Sequence, residues 1–150
     1  MGKNAEEAVR IFGNRFNCAQ AVLCACGGRH GVDREKLLAV SGAFGGGIGS
    51  TGRVCGAVTG AVMAIGLEHP RTDPADPVPR QETIRLTREL IAKFEERNGS
   101  VECRELLGYD LSDPDASRQA REAGVLGTVC PKMVRDAAEI LEEILPLKES

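Results

Sequence analysis

The sequence predicts an all-α fold: a compact bundle of about six or seven helices in which a glycine-rich loop leads into a small-residue central helix. Three observations predict it. Apolar residues recur at helical spacing in segment after segment, and no segment alternates as a half-buried strand would. The chain has no Trp, one Tyr and four Phe in 150 residues. Its core must therefore come from Ala, Val, Leu, Ile, Cys and Met, which suits close helix packing.

The elements follow in order. Lys3 to Arg15 reads as a first helix with Ala5, Ala8 and Phe12 on one side. Asn17 is a good cap for a second, whose stripe is Cys18, Ala21, Val22 and Ala25 and which Gly27-Gly28 ends. Asp33 caps a third, through Leu37, Leu38 and Ser41, which fails in the glycine run. A fourth covers Val54 to Leu67. The segment "EHPRTDPADPVP" then holds four of the seven prolines, so residues 68–79 form a surface connection. A long helix from Arg80 to Arg97 turns Ile84, Thr87, Ile91 and Phe94 inward. Ser100 caps a short helix that Gly108 closes. "YDLSDPDASRQA" reads as loop with one more helical turn. Pro131 opens the last helix, with Met133, Ala137, Ile140, Leu141 and Ile144 as its stripe.

The length suits one domain spanning 1–150. Net charge is −3 with both signs spread along the chain, and the basic patch of a nucleic-acid binder is missing. The longest uncharged apolar stretch, Val54 to Leu67, is too short to span a bilayer. The N-terminus lacks a signal peptide's apolar region, and Glu6 stands where a myristoylation signal needs Ser or Thr. A cytoplasmic protein without a membrane anchor is expected.

The stretch "FGGGIGSTGRVCGAVTG", Phe44 to Gly60, concentrates glycine around a single cysteine. Gly47 to Gly52 matches G-x-G-x-x-G, but that motif needs a preceding strand, and "DREKLLAVSGAF" reads as helix. A nucleotide is therefore not expected. Gly56, Gly60 and Ala64 recur every four residues and leave one face of the fourth helix as nearly bare backbone, open to a close neighbour. Small-residue faces also lend themselves to pairing, which leaves a homodimer open.

Six cysteines are present: Cys18, Cys24, Cys26, Cys55, Cys103 and Cys130. In a reducing compartment such a number points to metal ligation or redox chemistry, against the alternative of small buried hydrophobes. Cys55 lies in the first turn of the fourth helix, where free N–H groups and the helix dipole favour a thiolate. Cys18 follows the cap Asn17, Cys103 falls in the turn after Ser100, and Cys130 precedes Pro131. Four thiols thus sit at four predicted helix starts. Cys24 and Cys26 lie late in the second helix, about 200° apart around its axis, and read as packing residues.

"NCAQAVL", "FGGGIGSTGRVCGAVTGAVMAIGL", "CRELLG" and Cys130 together resemble the C_GCAxxG_C_C family of redox-active proteins. Its hallmark is Cys-Gly-Ala-x-x-Gly, here Cys55 to Gly60, with one cysteine upstream and two downstream. The resemblance runs from about Phe16 to Ala138. It implies that Cys18, Cys55, Cys103 and Cys130, with Gly56 beside them, form the site. The family is similar to the non-haem part of split-Soret cytochromes, where an iron–sulfur cluster has been suggested. No C-x-x-C-H is present, so haem is not implied.

The leading expectation is a redox protein whose four cysteines ligate an iron–sulfur cluster, of the [2Fe–2S] type, for electron transfer with a redox partner protein. A second is a thiol–disulfide protein with Cys55 attacking and Cys18 or Cys130 resolving. A third is a zinc-stapled helical module, and a fourth a helical binding module with buried thiols. His30 and His69 read as solvated, and the pairs Glu6-Glu7, Glu95-Glu96 and Glu142-Glu143 as surface. No acid–base constellation or enzyme substrate is legible.

Overall fold

The computed structural model describes residues 2–145; residue 1 and residues 146–150, the ends of the expected 1–150 domain, lie outside them. The fold is all-α. Among the described residues the helices are α1 (Lys3–Gly13), α2 (Cys18–Gly27), α3 (Arg34–Ser41), α4 (Gly56–Glu68), α5 (Val78–Asn98), α6 (Cys103–Leu107), α7 (Pro114–Glu122), α8 (Val125–Thr128) and α9 (Cys130–Ile144). No helix among them is long and apolar enough to cross a membrane.

Helix α2 sits at the centre, packed against α1, α3, α4 and α9. It is buried nearly all round, at Cys18, Ala19, Ala21, Val22, Leu23, Cys26 and Gly27. Its start is fixed by a capping box: the Asn17 side chain accepts from the Gln20 N–H at 2.9 Å, and Gln20 Oε1 accepts from the Asn17 N–H at 3.0 Å. Two orphan donors are satisfied at once. The same Asn17 donates through Nδ2 to the Gly42 carbonyl at 2.9 Å, tying the start of α2 to the end of α3. Asp33 caps α3 by accepting from the Lys36 N–H.

The small-residue face of α4 is pressed onto α2. A Cβ added at Gly60 would lie 2.6 Å from the Ala19 carbonyl oxygen, and one at Gly56 3.0 Å from the Ala19 nitrogen. Two backbones approach so closely only where both helices offer glycine or alanine. Against this pair pack α9, with Met133, Val134, Ala137, Ala138, Ile140 and Leu141 buried, and α5.

Four sequence expectations are corrected. The inward stripe of α5 is Leu86, Leu90 and Phe94; Ile84, Thr87 and Ile91 flank it, half-buried. The segment after Gly108 holds more helix than expected: Asp113 accepts from the Asp115 N–H and Pro114 opens the nine-residue α7. There Pro lacks only an N–H that would be orphaned anyway. Ser100 does not cap α6; its Oγ accepts from the Glu102 N–H at 2.9 Å, and Glu102 is the cap residue. The proline-rich connection is shorter than 68–79, because Glu68 still belongs to α4, and Val78 and Pro79 open α5.

Candidate redox site

The glycine loop folds back on itself. Gly49 N–H donates to Ala43 O at 2.7 Å, Ser50 to Gly45 O at 3.0 Å, Gly52 to Gly46 O at 3.1 Å and Arg53 to Gly47 O at 2.9 Å. The loop thus spends these N–H groups on its own carbonyls. Its tightest point is Gly47, at φ +76°, where a Cβ would lie 2.5 Å from Arg53 N and 2.7 Å from the Cβ of Cys103. Only glycine fits this backbone and this gap.

Beyond the loop, residues 53–55 pair with residues 101–103 in a short antiparallel bridge between Val54 and Glu102. Cys55 N–H donates to Val101 O at 2.7 Å, and Cys103 N–H donates to Arg53 O at 2.6 Å. Nothing in the sequence signals this pairing, because it is non-local and too short to alternate. It draws Cys55 and Cys103 onto the same part of the molecule. Gly56 does the same for Cys18, whose Cβ lies 3.1 Å from where a Gly56 Cβ would stand.

Each of the four cysteines stands at a helix start. Cys18 opens α2, Cys55 is the cap residue of α4, Cys103 opens α6 and Cys130 opens α9. All four line one cavity of about 220 Å³. Cys18, Cys55 and Cys103 are buried, and Cys130 is half-buried. Cys24 and Cys26 do not reach this cavity: Cys26 borders a separate crevice with Asn4 and Arg29, and Cys24 is half-buried elsewhere on α2.

Cys18 faces both Cys55 and Cys130. A proton held on Cys18 is shared toward its two neighbours, which raises the Cys18 thiol well above its ordinary range, with burial adding to the effect. The same contact lowers Cys55, against the opposing cost of burial. The nearby backbone N–H groups of Ala57 and Val58 lower it further, though no capping hydrogen bond closes. Cys130 is lowered by Cys18 against burial and the nearby Cys55. Cys103 departs from the helix-start expectation: burial, then the fields of Cys55 and Cys130, push it up to about 12. Its helix has five residues, too short to offset that desolvation.

Among the described residues, no three or more His, Cys, Asp or Glu side chains are arranged to hold a single metal ion. The histidines are less solvated than the sequence suggests. His30 is half-buried beside Glu68, with Nε2 to Oε2 at 3.1 Å, and His69 is half-buried at the end of α4. Neither lines the thiol cavity. Gly47 and Arg121 are among the lining residues that the sequence analysis did not place in the site. Gly47 could have been suspected from its run of glycines; Arg121 carries no local signal.

In comparison with known proteins, residues 16–144 match the model of the family described as "Putative redox-active protein (C_GCAxxG_C_C)". No curated protein and no solved structure matches the chain.

Proposed function

The chain belongs to the C_GCAxxG_C_C family of redox-active proteins, and from that premise we propose that Cys18, Cys55, Cys103 and Cys130 hold an iron–sulfur cluster of the [2Fe–2S] type. The observation that carries this reading is the shared cavity. Four thiols from four helix starts line it, and the two remaining cysteines are kept away. The donor set fits: four cysteines suffice for such a cluster. Gly47 and Gly56 leave out the Cβ atoms that would hold Cys103 and Cys18 apart from the loop.

When bound, the cluster would supply a one-electron carrier. The chain's own residues supply the rest. Burial of Cys18, Cys55 and Cys103 keeps water from the sulfurs. The first-turn N–H groups of Ala57 and Val58, close to the Cys55 sulfur, stabilise negative charge there.

The position of Cys18 between Cys55 and Cys130 favours a second reading, thiol–disulfide exchange. Cys55 thiolate would attack a disulfide RSSR, forming a mixed disulfide and releasing RS⁻. Cys18 would then give its proton to the released thiolate and attack the Cys55 sulfur. A second RS⁻ leaves, RSSR has taken up two electrons, and a Cys18–Cys55 disulfide remains.

Anaerobic preparation separates the two. Iron, acid-labile sulfide and absorption bands in the visible support the cluster. Metal-free protein that loses two thiols on mild oxidation supports exchange.

A further inference from the structure

The thiol cavity has walls that neither cysteine reading uses. Arg121 of α7 lines it, together with Leu106, Leu111, Leu126 and Met133. The cysteines Cys18, Cys55 and Cys103 are buried, whereas the three leucines are half-buried and Arg121 is exposed. The buried thiols thus form the floor, and the leucines and the guanidinium form the mouth.

Arg121 differs from its neighbour on the same helix. Arg118 is occupied by Asp115 at 3.1 Å and Glu122 at 3.9 Å. Among the described residues, the Arg121 side chain has no ion-pair or hydrogen-bond partner; its carbonyl accepts from the Gly124 N–H. No aspartate or glutamate lines the cavity either. An unpaired guanidinium over an apolar mouth is complementary to one kind of molecule: a small organic anion with an apolar tail. The whole cavity, about 220 Å³, is shared between the thiol floor and this mouth, so the mouth has room for a short chain at most.

We propose that this cavity binds a small monoanionic organic acid, its carboxylate on Arg121 and its short apolar chain against Leu106, Leu111, Leu126 and Met133. The site lies over the thiols, so a ligand in it governs access to them. The proposal does not rest on what the thiols hold.

The test uses the purified protein carrying ¹³C-methyl methionine, with pentanoate as the probe and pentanamide as its neutral isostere. Met133 lines the cavity, and Met63 lines a separate apolar groove between α2, α3 and α4. Pentanoate should shift the Met133 methyl signal saturably and leave Met63 in place. Pentanamide should bind about two- to fivefold more weakly, the scale of one exposed ion pair. Arg121→Gln should lose that preference, and Arg121→Lys should restore part of it. Arg121 is exposed and unpaired, so these variants should keep the wild-type helical circular dichroism. An unmoved Met133, an equal response to the amide, equal shifts at Met63, or an unchanged preference in Arg121→Gln would each overturn the proposal. Iron, sulfide and thiol content of the same sample report on the redox reading separately.

Discussion

Cys55 and Cys103 are joined through their backbones: Cys55 N–H donates to Val101 O at 2.7 Å and Cys103 N–H to Arg53 O at 2.6 Å. Two thiols far apart in the chain are therefore held by a direct backbone-to-backbone link. The loop that lets the two segments meet is the glycine run, and its contact with Cys103 passes through Gly47.

Replacing Gly47 by Ala should damage the site. A methyl there meets Arg53 N at 2.5 Å and the Cys103 Cβ at 2.7 Å, at φ +76°. Gly49→Ala is the control. It has a similar φ of +60° but meets only Ala43 O, at 3.9 Å. Both should lose about 1–2 kcal/mol from the left-handed backbone. Only Gly47→Ala should also lose iron and sulfide. Urea unfolding and metal analysis of the two variants check this.

The contact between α2 and α4 makes a paired prediction on one helix. Gly60→Ala places a methyl 2.6 Å from the Ala19 carbonyl oxygen, where backbone must move, and should cost about 1–3 kcal/mol. Gly66→Ala meets nothing within 4 Å and should stabilise by about 0.5–1 kcal/mol. Equal effects in urea unfolding would show that α4 does not pack through its glycine face.

Much of this geometry was legible, and the reasons are local. Asn17 and Asp33 announce their helices because a cap is decided within four residues. The spacing of Gly56, Gly60 and Ala64 announces a close helix contact without naming α2 as the partner. The helix starts at Cys18, Cys55 and Cys130 are legible from Asn17, the glycine loop and Pro131, whereas the start at Cys103 is expected from Ser100, which is not its cap. What was not legible is non-local. The 53–55 with 101–103 pairing joins two segments with no strand pattern of their own. Asp113-Pro114 is ambiguous between a turn and a helix start, so the segment reads as loop with one helical turn, and Arg121 is hidden with it. On α5 two apolar stripes compete, and packing against α9 and α4 selects Leu86, Leu90 and Phe94.

The cysteines outside the site make a prediction about pH. Burial, then the charge of Glu142, push the Cys26 thiol from its ordinary 9.0 up to about 12, against Arg29. The folded chain therefore keeps a proton that the unfolded chain releases. The stability tied to that proton is present below pH 9 and is lost as pH rises toward 12. Between pH 9 and 10 the loss from this one group should be about 1 kcal/mol. Cys26→Ala should show a shallower fall over that range by about this amount. An unchanged slope in urea unfolding would mean that Cys26 is not the buried thiol described.

The central claim is that four of the six cysteines act as one unit, and six single Cys→Ser variants, prepared anaerobically and analysed for iron and acid-labile sulfide, test it most directly. The account predicts that replacing Cys18, Cys55, Cys103 or Cys130 lowers both sharply, and that replacing Cys24 or Cys26 leaves both at the wild-type level. Equal content across all six variants, or loss on replacing Cys24 or Cys26 alone, would contradict it.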